Sequence, residues 1–336
     1  MSKKATALIA AIYVVILIAA GYAGFAGGGG FTKDGEGIDN NLQFVTGGES
    51  GTYYAFGTVI ANYCTNTEGT TVVALSSNGS QANVQSMQDG DADMAFCQAD
   101  VQTYAYEGSK LFESTGAYSD FSVVAALYPE QVQIVTTNPD IKTVADLKGK
   151  TVSVGAAGSG TNFNAIDILN AYGLDAEKDI KPVYQSFGDS TDSLKNGKID
   201  AAFVVAGAPT TSITDLSTAK PVHLVSLDSE HIAKLLKACP YYQESVISKD
   251  AYGLDSDTTT VAVLSVVIAN DNVSDEAIYK FTKSIFEGAK AQPDAHDKYS
   301  EVNLETASSI TTVPYHAGAA KYFAEQGIKV NTKDSE

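Results

Sequence analysis

The 336-residue chain contains no arginine: all 22 of its basic residues are lysines. A bidentate guanidinium clamp on a carboxylate or phosphate is therefore unavailable, and any anion must be held by lysine, backbone N–H, hydroxyl or amide groups. Cysteine is scarce. Cys64, Cys97 and Cys239 are too few for a disulfide framework and form no CxxC pair, which removes a structural zinc site and a thioredoxin-like motif. A Cys64–Cys97 bridge remains open, although Cys97 lies in an apolar run and reads rather as a buried thiol. His223, His231, His296 and His316 are scattered, with no HExxH and no pair at helical ligand spacing, so no metal site is expected. Positive charge is short as well: beyond residue 30 there are 20 Lys against 40 acids, a net charge of −20. Phosphate backbones and anionic membrane surfaces repel such a body, and no basic stripe relieves it, which excludes nucleic acid as a partner. What is present, 44% hydrophobic and 18% charged residues, is the composition of a folded protein of one large or two ordinary domains.

After Lys3 and Lys4, residues Ala5 to Ala26 run 22 positions without a charge. As a helix such a run spans about 33 Å at about 1.5 Å per residue, enough to cross a bilayer. Lysines before it and an acidic body after it satisfy the positive-inside rule, which places residues 31–336 outside the cytoplasm. Ala19-Ala20-Gly21 is a weak cleavage site and no Cys follows to accept a lipid, so residues 1–26 are expected to persist as a signal/anchor helix holding the protein to the membrane. Residues 27–41, opening with Gly27 to Gly30, read as a flexible linker.

Past the linker, β-branched runs alternate with amphipathic stretches. Strands are expected at Leu42 to Thr46, Thr71 to Leu75, Asp93 to Cys97, Phe121 to Leu127, Val132 to Thr136, Thr151 to Val154, Ala201 to Val205, Val222 to Ser226 and Thr260 to Ala269. Helices are expected over Ala55 to Cys64, Asn164 to Tyr172, Ser190 to Lys195, Asp275 to Ala289 and Tyr315 to Gln326. This βαβ rhythm predicts mostly parallel sheets. It breaks where two strand-like runs are split only by Tyr128-Pro129-Glu130, and again at the long run from Thr260. Two such breaks suggest chain crossings between two lobes, one of residues 42–127 plus 258–336 and one of residues 128–257, each a sheet flanked by helices.

Chemistry belongs where strands end and helices begin, because free N–H groups and the positive end of the helix dipole converge there. Four loops qualify: Thr46 to Tyr54 and Ser76 to Asn83 in the first lobe, Gly155 to Thr161 and Ala206 to Thr210 in the second. Each offers backbone donors and hydroxyls, which is the plan of a cleft closing on a small anionic molecule. The GxxGxG of Gly155 to Gly160 is not a dinucleotide fingerprint, and no GxxxxGK is present, so no cofactor is expected. Ser159 lies in GSG rather than GxSxG and has no assignable base, so no catalytic residue is expected and the protein is read as a non-enzyme.

Several of these segments resemble the TAXI family of solute receptors, which serve TRAP (tripartite ATP-independent periplasmic) transporters. The resemblance is carried by Thr46-Gly47-Gly48 with Gly51-Thr52-Tyr53-Tyr54, Gly79-Ser80 with Asn83, Asp93 to Asp100, Val154-Gly155 with Gly158 to Thr161, and Tyr315 to Ala319 with Lys321 to Gly327, in that order. It implies a two-lobed type II periplasmic-binding-protein fold, a monomer that captures a glutamate- or glutamine-like amino acid or a dicarboxylate and delivers it to an ion-gradient-driven permease. It also implies Gly48, Tyr54, Ser80, Asn83, Gln98 and Asp100 as ligand contacts from the first lobe, and Ser159, Gly160, Thr161, Pro209 and Thr210 from the second. Within that set, Ser159 and Thr161 would add hydroxyls to an anion site, Tyr54 a wall, and Asp100 either a partner for an ammonium group or a helix cap. Glu49 and Ala317 depart from the family pattern. The competing expectation is an exported sensor, an ABC-transporter binding protein or an enzyme on the same fold.

Overall fold

A computed structural model describes residues 40–335. The expected anchor, residues 1–26, and nearly all of the expected linker lie outside the described residues; among those described, no helix is long and apolar enough to cross a membrane. In chain order the elements are β1 Leu42–Val45, α1 Thr52–Thr67, β2 Val72–Leu75, α2 Ser80–Gln88, β3 Met94–Gln98, α3 Ala99–Glu107, β4 Phe121–Thr136, β5 Thr151–Ser153, α4 Gly160–Ala171, β6 Lys181–Val183, α5 Phe187–Lys195, β7 Ala201–Ala206, α6 Thr211–Ala219, β8 His223–Leu224, α7 Ser229–Ala238, β9 Gln243–Ile247, β10 Thr258–Asn270, α8 Asp275–Ala291, the short α9 Leu304–Ala307 and α10 Ala317–Glu325.

The strands join in the order β2-β1-β3-β10-β4-β7-β5-β6, with β8 on β4 and β9 on β10. Pairs made through a crossing helix are parallel, as in β1 with β2 and β3, and β5 with β6 and β7. The two long strands β4 and β10 run antiparallel to each other. They are also where the core divides. Buried apolar residues from Leu42 to Tyr128 and from Val266 to Phe323 form one cluster, while those from Val132 to Val263 form two others. The chain therefore changes core between Tyr128 and Val132 on the way out and between Val263 and Val266 on the way back.

Tyr128-Pro129-Glu130 does not split two strands, contrary to the sequence expectation; β4 runs through it as one element. Proline lacks the donor that a central strand needs. Here Pro129 faces Leu264 beside a register shift in β10, and Ser265 Oγ accepts from Tyr128 N–H at 3.2 Å and donates to Tyr128 C=O at 2.9 Å. A side chain thus replaces ladder bonds that the irregular stretch omits. Strands β6 and β9 and helices α7 and α9 were not among the expected elements. All three cysteines are free and buried, so Cys64 and Cys97 are not bridged.

Candidate functional site

Five helices begin around one cavity of about 70 Å³. Its lining takes Gly51-Thr52 at the start of α1, Gly79-Ser80 at α2, Gln98 before α3, Ser159-Gly160-Thr161 at α4 and Ser186-Phe187 at α5. Tyr53, Glu130, and Val205-Ala206 at the end of β7 share it with Gly47, Gly48, Ser77, Asn78 and Ala156. The first N–H groups of a helix have no intrahelical acceptor and carry the positive end of its dipole, so this convergence favours negative charge.

The two sides of the cavity belong to different core clusters and meet directly. Ala82 N–H donates to Gly158 C=O at 3.0 Å and Ser212 N–H to Ser50 C=O at 3.3 Å. Thr52 Oγ1 donates to Gly207 C=O at 3.1 Å, and the buried Lys298 ammonium to Ala208 C=O at 2.8 Å. The approach is tightest at Gly160, where a Cβ would stand 1.9 Å from Gln98 Oε1 and 3.0 Å from Ser80 Oγ. Gly155, at φ +87°, turns the β5–α4 loop so that a Cβ there would meet Thr161 and Ser159 within 3 Å.

Of the residues singled out in the sequence, Gly48, Ser80, Gln98, Ser159, Gly160 and Thr161 line the cavity, and Tyr54, Asn83, Asp100, Pro209 and Thr210 do not. Ser159 is occupied as the N-cap of α4: its hydroxyl accepts from Asn162 N–H at 3.2 Å and donates to Ala156 C=O at 2.7 Å. Asn83 is fully buried and donates at 2.7 Å to both Thr46 C=O and Phe96 C=O, tying the end of β1 to the middle of β3 beneath the loop that carries Gly47 and Gly48. Tyr53, not Tyr54, reaches the cavity, with its ring stacked on Phe96 at 4.5 Å. Pro209 follows a cis peptide bond, and Thr210 turns inward to Gln133, Gly207 and Tyr252.

Asp100 lies at the seam rather than in the cavity. One carboxylate oxygen accepts from Val101 N–H at 2.9 Å and the other from Asn164 Nδ2 at 3.3 Å across to α4. Burial pushes its pKa up to about 7. The carboxylate that does line the cavity is Glu130, at the crossing point of β4, and it escaped the sequence reading. It is 2% exposed and accepts a 2.7 Å hydrogen bond from Tyr53 OH. Burial raises its pKa to about 8, against the lowering effect of its hydrogen bonds from Tyr53 and Gln98. The one local signal was an acid inside a strongly apolar strand. Among the lining residues there is no lysine or histidine, and among the described residues no group of three or more His, Cys, Asp or Glu could hold a metal ion.

Two α/β halves joined by two long strands, with a polar cavity between them, define the periplasmic-binding-protein fold. The chain is similar to MatC of Rhodopseudomonas palustris with bound malate, at a TM-score of 0.53 and 14% identity over 86% of this chain and 97% of that one. It is similar also to a periplasmic transporter (TM-score 0.52, 12% identity, 79% and 88% covered) and to a protein of Bordetella bronchiseptica RB50 (0.50, 20%, 84% and 88%). The chain belongs to the NMT1-like family, which it matches over residues 44–327.

Proposed function

We propose that the protein is an extracytoplasmic solute receptor of the TAXI type. Its two lobes, residues 42–127 plus 258–336 and residues 128–257, shut on a small zwitterionic or anionic organic solute and present it to a TRAP permease. The observation that carries this reading is the convergence of five helix starts on a cavity whose two sides come from different core clusters. Such a site holds a carboxylate without arginine, by main-chain N–H groups and dipoles. An α-amino acid suits it better than a plain dicarboxylate, because its ammonium group can pair with the one lining carboxyl, Glu130. The ordered TAXI-like segments between Thr46 and Gly327 support the transporter class. Nothing in the lining pairs a nucleophile with a base, so the ligand is expected to leave unchanged.

Mass spectrometry of small molecules released from the body purified from residue 38 onward tests the reading. One amino acid or dicarboxylate in near-stoichiometric amount is the expected result, and chemically altered ligand in excess of protein would refute it. Uptake into vesicles carrying the permease should require the receptor and an ion gradient; a requirement for ATP would reassign the partner to the ABC class.

A further inference from the structure

Glu130 and Gln98 make a corner of the cavity unlike the rest. Gln98, 2% exposed, lines the cavity with its side chain near enough to the Glu130 carboxyl to lower its pKa, while its Oε1 is buried and meets no donor among the described residues. That oxygen lies against the first residue of α4, 1.9 Å from where a Cβ on Gly160 would stand. An acceptor without a donor, Gln98 Oε1, and a carboxyl with Tyr53 OH as a donor, Glu130, therefore sit beside the helix starts. A dicarboxylate would satisfy the helix starts but bring its second anionic group to Gln98 Oε1, which can only accept. A primary ammonium next to a carboxylate, as on one α-carbon, satisfies both.

We propose that Glu130, with Gln98 Oε1, reads the ammonium group of the ligand and sets the preference of the cavity for an amino acid over its 2-oxo analogue. This rests on the solute-receptor reading and adds to it the residues that select ligand charge. Tyr53 on α1, Cys97 on β3, Tyr128 on β4, Asp100 on α3 and Lys298 from the 297–300 turn are the titratable groups around Glu130. Because burial keeps the empty-site carboxyl largely protonated at pH 7, an arriving ammonium exchanges places with that proton. The neutral carboxyl and the ammonium become a carboxylate–ammonium pair, and one proton goes to solvent. A 2-oxo acid brings no cation and releases none.

Calorimetry with L-glutamate, L-glutamine and 2-oxoglutarate, on the parent and on Glu130→Gln, in two buffers of different ionisation enthalpy, provides the test. The parent should bind an amino acid about tenfold or more tighter than 2-oxoglutarate, the scale of a charge-assisted hydrogen bond, with release of close to one proton. In Glu130→Gln that preference and the proton release should both disappear. Equal affinity of the parent for the amino acids and 2-oxoglutarate, or a preference that survives in the variant, overturns the assignment while leaving the receptor intact. Failure of the parent to bind any of the three at millimolar concentration overturns the amino-acid reading and this assignment with it. If the variant does not melt cooperatively, the parent alone decides: proton release with an amino acid and none with 2-oxoglutarate supports the assignment, and equal release refutes it.

Discussion

Gly160→Ala isolates closure from folding. The added methyl would stand 1.9 Å from Gln98 Oε1, 2.5 Å from Gln98 Cδ and 3.0 Å from Ser80 Oγ, all on the opposite side of the cavity. Gln98 is poorly placed to yield, since it is buried. Overpacking of this kind costs about 1–3 kcal/mol, and on the proposed receptor reading it falls only on the shut form, because the clashing atoms separate when the halves part. A binding constant that includes closure should therefore drop by roughly 5- to 150-fold. Within α4 itself alanine is at least as good a helix former as glycine, so thermal unfolding should move by no more than a few degrees. Calorimetry with the ligand identified by mass spectrometry gives the affinity, and small-angle scattering with and without that ligand gives the degree of closure. An affinity within about twofold of the parent, with an unchanged ligand-induced decrease in radius of gyration, would show that the close approach at Gly160 does not govern binding.

Ser159→Ala removes a helix cap, so stability should fall by about 1 kcal/mol while affinity changes less than about threefold; a large loss of affinity with no loss of stability would mean that the hydroxyl serves the ligand. Asn83→Ala leaves the carbonyls of Thr46 and Phe96 unpaired and should destabilise the fold by about 2 kcal/mol or more in chemical denaturation, an unchanged midpoint being the refuting result. Glu130 in the folded chain keeps a proton that the unfolded chain has already lost above the ordinary carboxylate range. The folded state thus binds more protons, and stability should decline as pH rises from the ordinary carboxylate range near 4.5 to about 8 and level off above it, with Asp100 adding to the decline below about 7. The decline should flatten in Glu130→Gln, and melting temperatures that rise with pH in the parent would contradict it.

The helix-start loops were legible because their signal is local: a strand, then glycines and hydroxyls, then an amphipathic run, within about ten residues. What a side chain does after long-range packing was not. Nothing in sequence distinguishes an amide facing a ligand from one bonded to two carbonyls, and Asn83 is the second kind because β1 stops beside the middle of β3. Tyr53 and Tyr54 are adjacent in α1 and so point about 100° apart; only the packing of Phe96 chooses between them. Glu130 acquires its environment from Tyr53, which lies 77 positions earlier, and Pro129 is tolerated in a strand through Ser265, which lies more than a hundred positions later. Periodicity placed the crossing strands but could not foresee that a hydroxyl would repair the break in one of them.

The pairing of Pro129 with Leu264 has an evolutionary corollary. Everything between them is one uninterrupted stretch of chain whose two ends emerge as neighbouring strands, about 5 Å apart in a paired ladder. Such a stretch can be exchanged as a cassette between relatives with two splice points and no rerouting of the polypeptide. About half of the cavity lining would then change at a stroke while the other half stayed constant. Chimaeras joined at these two positions would show how far lineages on this fold diversify by recombination rather than by point substitution.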